Sequence, residues 1–151
     1  MSEPEPPAAE YTPDMIARMN VIVRDMVPHN KALNLEIERL SHGGEVWMKL
    51  PWAEHLVGNP LNGALHGGAI SSAMDAAGGM AVMAKLGKPS SIATLDLRID
   101  YMKAALRGED VKIHARCTKV TRHVCFVHAT AYTQSESDPV ATVAATFARK
   151  S

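Results

Sequence analysis

From Gly68 to Leu86 the chain carries an almost uncharged run of small and apolar residues in which Asp75 and Lys85 are the only charges. Ile70, Ala73, Met74, Ala77, Ala81 and Ala84 recur at the spacing of one helix face. A helix this apolar has to be covered on more than one side, and its small side chains let the cover come close. Alternating strand patterns lie before and after it in sequence, so the simplest packing is an antiparallel sheet wrapped around the helix. Gly87, with Pro89 beyond, marks its end. Gly78 and Gly79 inside it cost about 1 kcal/mol each relative to alanine, which implies a packing reason for them.

The helix is entered through a polar loop, Asn59-Pro60-Leu61-Asn62-Gly63-Ala64-Leu65-His66-Gly67-Gly68. A helix N-terminus presents unpaired N–H groups and the positive end of the dipole, and a glycine pair there lets another group approach the backbone closely. Such a place suits an oxyanion. Asp75 follows two turns later, beside Ser71, Ser72, Gly78 and Gly79 on a small-residue face distinct from the apolar stripe. Backbone donors and a carboxylate are two of the parts that hydrolysis of an activated acyl group needs. At ~1.5 Å rise per residue, however, Asp75 lies about 12 Å along the axis from Gly67. If both groups act on one carbonyl, the carboxylate must come from an antiparallel second copy of the helix, as in a two-fold homodimer.

Taken together, the loop Asn, the His66-Gly67-Gly68 turn and the helical Asp75 resemble the hotdog-fold acyl-CoA thioesterases of the PaaI-like group. The resemblance continues along Ile92-Ala93-Thr94-Leu95-Asp96-Leu97-Arg98-Ile99-Asp100-Tyr101-Met102 and covers roughly residues 33 to 149. It implies an α+β hotdog fold, with an antiparallel sheet wrapped around a long central helix and an N-terminal helix before it. It also implies a hydrolase acting on an acyl-CoA substrate as a homodimer, and it favours pairing of dimers into a homotetramer. In this family's terms Gly67 is the oxyanion donor and Asp75 is general base or nucleophile. His66 supports the loop or polarises the carbonyl, and Thr94 helps hold the water. The family's loop Asn corresponds to Asn59 or Asn62, with Asn59 preferred. Gly68, Ser71, Asn62 and Arg122 are expected to line the substrate site, Arg122 as one of several basic residues near strand ends that could meet CoA phosphates. Two other functions stay open: a noncatalytic acyl-CoA binding protein in which Asp75 is structural, and a hotdog dehydratase or hydratase, which would want a catalytic His paired with a carboxylate across the site.

The rest of the chain is consistent with one domain over 12–151 behind a disordered tail at 1–11. The sequence has 151 residues, with sixteen Lys and Arg against sixteen Asp and Glu. That balance offers no basic excess for nucleic acid or a membrane surface. The start, Met1-Ser2-Glu3-Pro4-Glu5-Pro6-Pro7, is acidic and proline-rich rather than a signal peptide, so a cytoplasmic protein is expected. Thr12-Pro13-Asp14 opens a helix on which Met15, Met19, Ile22 and Met26 form a core-packing face, ending before Pro28. The alternating runs at 33–38 and 45–50 read as a hairpin, and His42-Gly43-Gly44 between them as a turn. Residues 51–65 read as a loop, and four strands from Ile92 to Arg149 as an antiparallel meander. Cys117 and Cys125 are expected to be free, buried thiols. His114 and His128 lack a third ligand for a metal site, and His29 and His55 are loop histidines without a partner. No G-x-S-x-G elbow, phosphate loop or dinucleotide fingerprint is present, so no cofactor is expected.

Overall fold

The computed structural model describes residues 8–150. In chain order it has α1 (Pro13–Asn20), a π-helical turn (Val21–Asp25), α2 (Pro28–Leu33), β1 (Glu36–Ser41) and β2 (Glu45–Leu50). A 3-10 turn (Glu54–Leu56), β3 (Val57–Asn59), β4 (Ala64–Leu65) and α3 (Gly67–Leu86) follow. The chain ends with β5 (Ile92–Tyr101), β6 (Val111–Val120), β7 (Val124–Tyr132) and β8 (Ala141–Arg149).

Helix α3 is the axis of the molecule, and its predicted face is its buried face: Ile70, Ala73, Met74, Ala77, Ala81 and Ala84 are all buried. Gly87 closes it in the left-handed region at φ 65°, as its lack of a Cβ allows. A six-stranded antiparallel sheet in the order β1-β2-β6-β7-β8-β5 curves around it, which is the hotdog arrangement. The inner row of the sheet includes Val46, Met48, Ile113, Ala115, Val127, Val143 and Phe147, all buried. Gly78 belongs to this packing, because a Cβ there would stand 3.0 Å from the Phe147 ring. It therefore lies against the sheet rather than opening space beside Asp75, while a Cβ on Gly79 would meet only ordinary contact at 3.6 Å from Ile92.

Three elements differ from their sequence reading. Only β6, β7 and β8 form a meander; β5 pairs with β8 at the far edge of the sheet instead of with β6. Turn residues specify that a chain reverses, but the stretch from 102 to 110 is longer than a hairpin turn and carries the chain across the sheet. The expected loop at 51–65 contains the small β3–β4 hairpin and a 3-10 turn. The N-terminal helix is broken: Met26 N–H bonds Val21 O across the π turn, and α2 then places His29 on a helix rather than in a loop and holds Leu33, so that β1 begins at Glu36 instead of at Leu33. The π turn rotates the later residues away from the face set by α1. Met19 and Val23 pack on the core, whereas Met15, Ile22 and Met26 are exposed, so the methionine row is not a core face.

Of the expected tail, residues 8–11 run beside β1: Tyr11 N–H donates to Leu40 O at 2.8 Å and the Tyr11 ring stacks on His42. Residues 1–7 lie outside the described residues. His42-Gly43-Gly44 is a turn with Gly44 at φ 90°. Cys117 and Cys125 are free and buried, and burial pushes the Cys117 thiol up to about 11. Among the described residues no helix is long and apolar enough to cross a membrane.

Candidate active site

The first turn of α3 is prepared by its own cap. His66 is held extended at φ −62° and ψ 132°, and its Nδ1 accepts the Gly68 N–H at 2.8 Å. With Nδ1 engaged as an acceptor, a neutral ring carries its proton on Nε2. Gly68 thus has its amide satisfied, while the Gly67 N–H has no acceptor among the described residues. The free donor points along the axis at the positive end of a helix of 20 residues. Ser71 Oγ donates back to Gly68 O at 3.1 Å and tightens the same turn.

Asp75 is half-buried on α3, and Thr94 Oγ1 on β5 donates to its Oδ1 at 2.7 Å. One carboxylate oxygen is therefore fixed, and Oδ2 retains its lone pairs for another donor. Simple alternation along β5 would turn Thr94 away from Leu97 and Ile99. A register shift between Thr94 and Asp96 makes Leu95 the extra residue of a bulge. The bulge reverses the parity of the strand, so Thr94 shares the helix-facing side with Leu97 and Ile99 while Leu95 is 58% exposed.

Tyr101 is a contact that the sequence reading missed. Its hydroxyl donates to Gly67 O at 2.7 Å, anchoring the turn that carries the free amide from the far end of β5. Alternation identified the side of the strand on which Tyr101 lies, but nothing local to it named Gly67 as its partner. The ring stands 3.2 Å from where a Gly67 Cβ would be, so glycine there also gives the tyrosine room.

The loop asparagines serve their own backbone. Asn59 Oδ1 accepts from Leu61 N–H and Asn62 Oδ1 from Ala64 N–H, each at 3.0 Å. Arg122 sits in the β6–β7 turn, at the end of the sheet where Ile92 pairs with Arg149. Gly67 is bound at the other end of β5, about 30 Å away at ~3.3 Å per residue. Within one chain, then, the structure joins Asp75 to Thr94 and Gly67 to His66 and Tyr101, but leaves these two groups apart and Arg122 distant from Gly67.

Several known proteins are similar to this chain in sequence or in fold. The chain is 38% identical over 80 residues to a Halobacterium salinarum protein provisionally named an esterase, an alignment of 51% of this chain and 52% of that one. It is 32% identical over 98 residues to the medium/long-chain acyl-CoA thioesterase YigI of Escherichia coli, covering 55% of this chain and 61% of that one. The chain thus spans about half to three-fifths of the length of these curated relatives. A crystal structure from Pseudomonas aeruginosa superposes with a TM-score of 0.79 at 33% identity, over 90% of this chain and 99% of that one. Thioesterase superfamily member 2 from mouse has a TM-score of 0.75 at 21% identity over 89% of this chain and 96% of that one, a likeness of fold. The family model for the thioesterase superfamily matches residues 62–140, a stretch that takes in the His66 cap, the whole of α3 and the bulged strand with Thr94 and Tyr101, and by that match this chain belongs to the thioesterase superfamily.

Proposed function

We propose that the protein hydrolyses acyl- or aryl-CoA thioesters to the free acid and CoA, in a site completed by a second copy of the chain. The observation that carries this reading is the pair of contacts on β5. Thr94, beside Asp75, and Tyr101, beside Gly67, both lie on β5, an edge strand of the sheet, with Leu97 and Arg98 at the middle of the span between them. Antiparallel pairing of this edge with its copy about that middle would set Thr94 against the partner's Tyr101. The carboxylate of Asp75 would then approach the Gly67 N–H of the partner subunit. A ten-residue edge with Leu95 and Tyr101 at least half exposed, and the exposed Met102 just beyond it, favours such pairing. The same operation brings the Arg122 end of one sheet toward the partner's Gly67, which supports Arg122 as a CoA-phosphate contact. Pairing of such dimers into tetramers is a further expectation of the family resemblance.

The chemistry follows from the groups named. The thioester carbonyl oxygen accepts the Gly67 N–H, and the helix dipole stabilises the negative charge that develops as the carbon becomes tetrahedral. Asp75 takes a proton from water as the hydroxide oxygen bonds to that carbon, or attacks it directly to form a mixed anhydride that water then opens. Collapse of the adduct breaks the C–S bond, and the CoA thiolate leaves and takes up a proton. His66 caps the helix and keeps Gly67 free; with Nδ1 occupied it is poorly placed to abstract a proton, which disfavours the dehydratase reading. Asn59, or Asn62, retains a side-chain NH2 to orient water or substrate.

The deciding experiment is thiol release from a panel of aryl- and fatty acyl-CoA esters, run with sizing in solution. Turnover by a dimer or larger assembly supports the proposal; tight binding of the esters without thiol release replaces it with a binding protein. Within the active enzyme, Tyr101→Phe should lower kcat about fivefold, the rate equivalent of one net hydrogen bond of ~1 kcal/mol. An unchanged kcat would mean that the Tyr101 hydroxyl does not hold the amide in position.

A further inference from the structure

The N-terminal helical segment lies over α3 and leaves a cavity at each end of the contact. One, of about 260 Å³, is lined by His29 and Leu33 of α2 and by His66, Gly68 and Ser72 at the start of α3. The other, of about 310 Å³, is lined by Met19, Ile22 and Val23 with Met80, Met83 and Pro89. Gly68, Ser72, Ala76, Met80 and Ala84 follow one another at intervals of four and so form a single row along the helix surface. Ser72 lines the first cavity and Met80 the second, and the one side chain of the row between them is Ala76, a methyl group. The second cavity is walled mostly by hydrocarbon and thioether, with Tyr11 also in its lining and Lys88 its only charged lining residue. Methionine side chains adapt their shape to an apolar guest. Ile22, at 58% exposed, belongs to the π turn, a backbone irregularity that recurs at functional sites.

We propose that an unbranched aliphatic acyl chain lies along this row, entering past Ser72 and, when long enough, passing Ala76 into the methionine cavity, with the N-terminal helical segment as its gauge of length. This rests on the thioesterase reading and adds a substrate class to it. The row itself supplies the ruler. Ala76 stands nine residues beyond Gly67, about 13 Å along the axis at ~1.5 Å per residue. An extended alkyl chain advances about 1.25 Å per carbon, from bonds of ~1.5 Å at angles near 111°. A chain bound at Gly67 by its carbonyl therefore reaches Ala76 at about ten carbons, and only longer chains gain the second cavity.

The test compares kcat/KM for hexanoyl-, octanoyl-, dodecanoyl- and tetradecanoyl-CoA in the wild type, Ala76→Phe and Ile22→Arg. Each methylene buried in an apolar site is worth about fourfold in kcat/KM, so the wild type should favour tetradecanoyl over octanoyl by at least about tenfold, since part of the tail stays mobile. Ala76→Phe closes the row and should reduce tetradecanoyl turnover by about tenfold or more while leaving octanoyl within about twofold. Ile22→Arg sets a charge at the cavity mouth at a position exposed enough to spare the fold, and should act in the same direction. A chain-length preference that survives both substitutions, or losses equal for all four esters, overturns the proposal. Binding of free tetradecanoate, followed by calorimetry on the same three proteins, separates this from a failure of the thioesterase reading. If no ester is cleaved but tetradecanoate binds the wild type and not Ala76→Phe, the acyl groove stands without the hydrolysis. If esters are cleaved and tetradecanoate binding ignores both substitutions, the hydrolysis stands without the groove.

Discussion

Asp75→Asn will lower acyl-CoA turnover by at least about a hundredfold, the scale of a lost general base, in a protein that remains folded and assembled. The side chain keeps its shape, and Thr94 Oγ1, which donates to Asp75 Oδ1 at 2.7 Å, can donate equally to an amide oxygen. What disappears is the charge and the ability to take a proton or attack. The measurement is thiol release at saturating substrate, with thermal unfolding and size in solution recorded on the same sample. A variant that hydrolyses as fast as the wild type would leave Asp75 as a structural acceptor between α3 and β5 and remove the catalytic proposal. A large loss accompanied by unfolding or dissociation is instead a packing effect, which the two controls reveal.

The second large effect is expected at the amide. Gly67→Pro deletes the proposed oxyanion donor, and loss of one such donor costs about a hundred- to a thousandfold in kcat. Proline is favoured at the first position of a helix, and His66 already has the extended backbone that a residue before proline requires, at ψ 132°. The added ring must displace Tyr101 by a few tenths of an ångström, since a Cβ at Gly67 would stand 3.2 Å from it. Gly67→Ala introduces that Cβ with the N–H intact and so isolates the part due to crowding; its loss should be far smaller.

These two substitutions together test the shared site. Either variant alone has no intact pairing of Asp75 with a partner's Gly67. Co-expression of Asp75→Asn with Gly67→Pro creates mixed dimers that hold one intact site, in which both good groups face each other across the interface. Random assembly should restore about a quarter of wild-type activity per chain. A co-expressed sample as inactive as its parents would mean that both groups act within one chain, and the pairing of β5 edges would have to be abandoned.

The parts of this molecule that were readable from sequence are those decided by neighbours along the chain. Helix α3, its buried stripe and its Gly87 terminus follow from an apolar period and a residue that tolerates positive φ, both properties of consecutive residues. The His66-Gly67-Gly68 start, the turn of the β1–β2 hairpin and the meander of β6, β7 and β8 are legible for the same reason. The face occupied by Gly78 is not legible in sequence, because a glycine fits equally well against solvent or against Phe147 and only the position of the sheet distinguishes them. The methionines of the N-terminal segment share one face only on a continuous helix, and the π turn at Val21–Asp25 changes the phase.

The sequence by itself determined that a long apolar helix opens on a free amide, carries one carboxylate and must be wrapped by strands. Tertiary structure decided which strand lies beside that carboxylate and how it is turned. The placement of β5 at the sheet edge rather than in the meander puts Thr94 and Tyr101 along α3. The bulge at Leu95 then rotates Thr94 onto the helix side, against the alternation written in its own neighbours. A side-chain period is local, but the register of a strand is settled by its hydrogen bonds to β8 and by the surface of the helix it covers, which are contacts between residues far apart in the chain.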